Sequence, residues 1–155
     1  MIRYVFAGLL ILVIVVITGF PFSRTETPMQ AIATAEFGGV SLRIDYATTT
    51  EMRERGLGGK KDIPNDYGML FVFPNGDRYG FWMKDMLKPV DIFWLNDKGQ
   101  VVSIAQDVAT STYPNVFYPV KPARYVLETA AGFAREYSIA TGTPLLLKSF
   151  ELVSE

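Results

Sequence analysis

From Tyr4 to Phe22 the chain carries nineteen residues without a charge, including the run LLILVIVVI from Leu9 to Ile17. As a helix rising about 1.5 Å per residue it would reach roughly 28 Å, close to the ~30 Å hydrocarbon core of a bilayer. A helix apolar on every side has no polar face to turn outward from a small soluble core, so lipid is the surrounding it fits. Arg3 supplies a short basic segment ahead of the run. Small-x-small patterns occur at Ala31-Ile32-Ala33 and Ala33-Thr34-Ala35, well past its end. An uncleaved anchor is therefore the expectation, with a cleaved signal as the alternative. Either way the rest of the chain is expected on the extracytoplasmic side. It would be a single-pass cell-membrane protein held through residues 4–22, or a secreted one if the segment is cleaved.

The remaining length suits one domain. Residues 1–23 read as the anchor and residues 24–35, with a proline and little periodicity, as a tether. Residues 36–155 read as a β-rich domain. Without residues 1–23 the chain keeps fourteen basic and sixteen acidic residues, a net charge of −2. No nucleic acid is expected as a partner, because phosphate contacts dominate that affinity and there is no basic run to make them.

The sequence has no cysteine and no histidine. Ser-His-Asp and Cys-His nucleophile systems cannot be built within it. Zinc sites made from those side chains are excluded too, so an ion site would need oxygen ligands alone. No cofactor is expected.

Within the domain, Val40, Leu42, Ile44 and Tyr46 alternate with Ser41, Arg43 and Asp45, the signature of a half-buried strand. Thr48 with Glu51 reads as a capping box, with a short helix from Met52 to Leu57 that glycines 56, 58 and 59 end. Met69 to Phe73 suits a buried strand, followed by a Pro-Asn-Gly-Asp turn. Tyr79 to Lys84 is strand-like. Val90 to Leu95 and Val101 to Ala105 form a hairpin about Asn96-Asp97-Lys98-Gly99. Residues 107–122 read as a long loop, Arg124 to Thr129 as a strand, Ala130 to Tyr137 as a short helix, and Leu145 to Phe150 as a last strand. The fold class expected is mainly β: an antiparallel sandwich or barrel-like sheet with two short helices, preceded by one N-terminal transmembrane helix.

Five segments then occur in order: MRERGLGGK (52–60), DYGMLFVF (66–73), GFWMK (80–84), PVDIFWLN (89–96) and ARYVLETAAG (123–132). Together they resemble the bacterial and archaeal family known as domain of unknown function 192. The resemblance covers about residues 36–150. It implies a compact, mostly β fold, often behind an export signal, and assigns no reaction. Gly58 stands where the family usually has Met. Asp85 and Met86 stand where Asn and Thr are usual, and Thr143 where an acid is usual.

Six residues stand out as candidate site residues. Trp82 and Lys84 share one face of their strand, with Phe81 and Met83 on the other. They form either a ligand platform, or a core Trp with Lys84 lying along it. Asp91 lies inside an apolar strand, and a carboxylate there needs a partner or a shifted pKa. It reads as a ligand anchor, a general base, or half of an ion pair with Arg53, Lys84 or Arg124. Arg53 could hold Asp91, Glu128 or an acidic ligand. Arg124 and Glu128 fall on one strand face, with Val126 between them. Tyr113, Phe117 and Tyr118 could rim a pocket or pack as a lid. The glycines before Lys60 do not make a phosphate loop, because a helix precedes them and no Ser or Thr follows the lysine.

The leading expectation is non-catalytic binding of a small polar ligand outside the cytoplasm. The alternatives are a module binding an envelope protein, and an extracytoplasmic hydrolase using paired carboxylates such as Asp91 and Glu128.

Overall fold

The computed structural model describes the backbone of residues 30–153 and the side chains of residues 33–148. Its strands are β1 (Gln30–Phe37), β2 (Val40–Ala47), β3 (Tyr67–Asp77), β4 (Phe81–Trp82), β5 (Val90–Leu95), β6 (Val101–Val108), β7 (Val116–Phe117), β8 (Ala123–Ala130) and β9 (Leu145–Val153). Helix α1 spans Thr50–Arg55 and α2 spans Phe133–Glu136. Among the described residues no helix is long and apolar enough to cross a membrane. The apolar run at 4–22, and with it the expected anchor, lies outside the described residues.

Seven strands form one sheet in the order β6-β5-β8-β3-β2-β1-β9, and β4 pairs with β7 in a separate ribbon. The sheet curls into a half-barrel. Its outermost strands meet at one corner, where Gln100 bridges Pro144 and the Leu145 N–H donates to the Gly99 carbonyl at 2.9 Å. The expected antiparallel pattern needs one correction: β2 and β3 run parallel, with Arg43 opposite Tyr67 and Ala47 opposite Phe71.

Strand β1 also corrects the expected tether. Residues 30–35 are not linker but strand, paired with β2 on one side and β9 on the other. Ala33 and Ala35 turn inward with Phe37, and small side chains there let the strands curl closely around the core. Helix α1 starts earlier than expected and is capped by Thr49, whose hydroxyl accepts from the Met52 N–H at 3.2 Å. Strand β3 runs on through the expected Pro74–Asp77 turn, with a register shift there. Helix α2 is shorter than expected. Strand β8 continues through Ala130, and Gly132 at φ 87° separates it from the helix.

Two apolar clusters flank the central strands. Inside the curl, Phe37 meets Phe93 edge-on at 5.0 Å and stacks near Phe133 at 5.9 Å, so α2 fills the barrel interior. On the outer face Phe71, Phe81, Ile92, Trp94 and Val126 form a second core under the β4–β7 ribbon. All six residues of β5 are buried, because both of its faces are covered.

Candidate ligand-binding site

The second core is open on one side. There a cavity of about 190 Å³ lies between α1, the glycine turn after it, β3 and the β4 segment. By the volume that liquid water occupies, it would hold roughly six molecules. Phe71, Phe73, Tyr79 and Phe81 wall it, and Trp82 stands at its mouth. The rings brace one another: Phe73 stacks on Tyr79 at 3.6 Å, and Phe71 meets Phe81 edge-on at 4.8 Å.

Glu128 lies at the floor. On β8 it sits opposite Met69 of β3 and Ile92 of β5, so its carboxyl points out of the barrel toward the cavity. It is 4% exposed. The Leu57 N–H donates to the carboxyl, while Oε2 has no partner among the described residues. Burial pushes its pKa up to about 8, and the Leu57 hydrogen bond only partly offsets that. At pH 7 the group is therefore mostly a neutral acid, able to donate as well as accept.

Gly56 makes the close approach possible. It ends α1 at φ 51° and ψ −134°, with its N–H on the Met52 carbonyl at 2.9 Å. A Cβ there would stand 3.2 Å from Phe71 Cζ and 3.4 Å from Glu128 Oε2. Only glycine adopts this backbone readily and brings the following Leu57 N–H to the carboxyl.

The rim is basic. Arg53, Arg55 and Lys84 line it, with Glu54 the one acid among them. Arg53 is not paired with an acid, as the sequence reading allowed. Its guanidinium donates to the Thr48 carbonyl at 2.6 Å and the Val72 carbonyl at 3.1 Å, and lies 5.3 Å from the Phe73 ring centre. It ties α1 to β3 while adding positive charge to the rim.

Four of the six sequence candidates thus converge: Arg53, Trp82, Lys84 and Glu128. The core reading of Trp82 is overturned. Phe81 and Met83 are the buried pair, and Trp82 is 42% exposed. Asp91 is elsewhere. It is 0% exposed, on the inner face, and accepts from the Asp107 and Ala134 N–H groups, each at 2.7 Å. Its partners are backbone amides, so the expected ion pair with Arg53, Lys84 or Arg124 is corrected. Arg124 lies near the Tyr125 ring at 5.7 Å, and its Nε has no partner among the described residues. It does not line the cavity. Tyr113, Phe117 and Tyr118 stand outside it as well.

The aromatic walls and Gly56 are the features the sequence reading missed. Phe71 and Phe73 alternate with Leu70 and Val72, but in an all-apolar run alternation does not say which set faces a cavity. Of the positions that depart from the family pattern, Met86 lines the cavity. Asp85 is exposed at φ 57° and accepts the Gly59 N–H on its carbonyl. Among the described residues no group of three acids converges to hold a metal ion.

Comparison with known proteins agrees with this architecture. The chain is 28% identical over 102 residues to the UPF0127 protein TK1120 of Thermococcus kodakarensis, covering 64% of this chain. The match spans 61% of that relative, less than two thirds of its length. Among solved structures, a candidate transcription regulator (R01717) from Sinorhizobium meliloti 1021 superposes with a TM-score of 0.69 at 23% identity, over 76% of this chain and 92% of that one. A protein of unknown function from Novosphingobium aromaticivorans DSM 12444 gives 0.65 at 24% identity, over 74% and 82%. At these identities the likeness is one of fold. The model of the family DUF192, described as uncharacterized ACR, matches residues 32–147, and the chain belongs to that family.

Proposed function

We propose that this chain is a membrane-tethered, extracytoplasmic domain that binds a small polar ligand without transforming it. The observation that carries the reading is Glu128 Oε2, a buried polar atom without a partner among the described residues, at the floor of an aromatic-walled cavity. A buried polar group left unmatched costs free energy, and a ligand that matches it recovers that cost.

The lining specifies the ligand. A hydrogen-bonding atom meets the neutral carboxyl, and a ring or apolar body lies between Phe73, Tyr79 and Trp82. A negative group is favoured at the rim beside Arg53, Arg55 and Lys84. A one-ring acid, such as a sugar acid, satisfies all three. The non-catalytic reading draws support from Asp91 lying on the other face of the sheet, away from Glu128, while the cavity's second acid, Glu54, stands among the cations of the rim. The apolar run at 4–22 supports the tether and the extracytoplasmic side.

The test is a thermal-shift and calorimetric screen of the full chain in detergent against neutral sugars, sugar acids and aromatic amino acids. A ligand at about 100 times its Kd stabilises the fold by roughly 2.7 kcal/mol, a visible rise in Tm. We expect the sugar acids to give that rise and Glu128→Leu to abolish it. Binding that is unchanged in both Glu128→Leu and Trp82→Ala would remove the cavity from the account.

A further inference from the structure

Six of the eight large apolar side chains exposed among the described residues fall in two short segments, 82–87 and 113–120. They are Trp82, Leu87, Tyr113, Val116, Tyr118 and Val120. The β4–β7 ribbon joins the two segments. Phe81 pairs with Phe117 facing the core, and Trp82 pairs with Val116 facing out. Val116 and Tyr118 close over Gly80 so tightly that a Cβ there would stand 2.6 and 2.7 Å from their side chains. Trp82, Val116 and Tyr118 are therefore neighbours on one outward face.

The segments that build this face carry a local charge of the opposite sign to the whole chain. Around them, residues 77–88 and 113–121 hold Arg78, Lys84, Lys88 and Lys121 against Asp77 and Asp85, in a chain of net charge −1. None of the four cations forms an ion pair among the described residues. Exposed Trp and Tyr with a surround of lysines is the chemistry of a membrane interface. The rings sit at the headgroup level and the ammonium groups meet anionic lipid. Because β1 begins at Gln30, seven residues separate Phe22 from the sheet, and fully extended they span at most about 25 Å.

We infer that the outer face of the β4–β7 ribbon docks on the anionic lipid surface of the membrane that carries the tether. The inference rests on the proposed reading of residues 4–22 as an anchor. Trp82 belongs both to this face and to the cavity mouth, so docking sets the ligand site against the headgroup layer.

The chain's two tryptophans provide the test. Trp94 is 1% exposed and donates to the Tyr79 carbonyl at 2.9 Å, which leaves Trp82 as the reporter of the surface. The full chain would be reconstituted into phosphatidylcholine vesicles with about 30% phosphatidylglycerol, carrying bromine on the acyl chains near the headgroup. Flotation reports the anchor, and emission reports docking. We expect the chain to float, and the Trp82 emission to shift to the blue and be quenched by bromine. A Trp82→Phe control should lack the quenched component. The Lys88→Glu/Lys121→Glu pair, both exposed and outside the cavity, should restore the emission without changing Tm.

If the chain floats while Trp82 stays open to aqueous acrylamide and untouched by bromine, docking is overturned and the tether stands. If the chain does not float, both readings fall together. If Trp82 is shielded from acrylamide yet not reached by bromine, a second copy covers the face, and lipid docking is overturned.

Discussion

Asp91 and Glu128 lie one register step apart on paired strands, Asp91 opposite Thr129 and Ile92 opposite Glu128, yet their carboxyls point to opposite faces of the sheet. The two buried acids are handled in opposite ways. Asp91 faces inward and takes two backbone N–H donors. Glu128 faces outward with one donor and one unmatched oxygen. A mechanism that needs both in one cleft has no cleft to use.

Asp91 holds α2 and the end of β6 against β5, and the exposed Asp107–Arg135 ion pair at 2.7 Å closes the same corner. Asp91→Ala would leave the buried Ala134 N–H without an acceptor, and we expect a loss of about 2–4 kcal/mol in urea unfolding. Asp91→Asn keeps one acceptor oxygen and should lose less. Equal losses for the two variants would mean that the donors find other partners.

Glu128 makes stability depend on pH. Its folded pKa of about 8 lies above the ordinary value of 4.5, so between those values the folded state binds more protons than the unfolded chain. This contribution is fully present below about pH 4.5, declines as pH rises through 8, and levels off above that. Over the window the decline should be on the order of a few kcal/mol. Glu128→Gln should remove this part of the slope, as read from Tm across the pH range. A slope unchanged in that variant would show the carboxyl to be ionised when folded. Ligand binding to the neutral acid should weaken over the same rise.

Gly56→Ala tests the turn that delivers the Leu57 N–H. A Cβ at φ 51° is strained and would press on Phe71 and Glu128. We expect a loss of about 1–3 kcal/mol in chemical denaturation, together with weaker ligand binding.

Phe81 and Trp82 are adjacent but should respond in opposite ways. Phe81 packs edge-on against Phe71 and Trp94, and Phe81→Ala should cost about 3–5 kcal/mol of stability. Trp82 is exposed at the cavity mouth, and Trp82→Ala should cost far less stability than Phe81→Ala, about 1 kcal/mol or less, while weakening ligand binding. Thermal melts and titration calorimetry on both variants separate the two roles.

How much of this was legible in the sequence follows from what leaves a side-chain signature. The alternation from Val40 to Tyr46 marked β2. The Asn96–Gly99 turn marked the β5–β6 hairpin, where Asn96 Oδ1 accepts from the Lys98 and Gln100 N–H groups. Strand β1 was hidden because Ala33 and Ala35 are too small to register as an apolar stripe. In GFWMK the period of two sorted Phe81 with Met83 and Trp82 with Lys84, but did not say which pair turns inward. The partners of Asp91 were illegible because backbone N–H groups are the same at every position. Arg53, Trp82, Lys84 and Glu128 were each conspicuous alone, and only the curl of the sheet showed that Asp91 and Arg124 do not join them.

The parallel pairing of β2 with β3 has a consequence for how this scaffold can diversify. Parallel neighbours cannot be joined by a tight turn, so the chain must travel back along the barrel between Ala47 and Tyr67. That obligatory return carries Arg53, Gly56 and Leu57, which line one side of the cavity. The strands act as a frame, and the return is laid across it as one wall of the cavity. Changes in its length or charge would reshape the cavity rim while leaving every strand pairing in place.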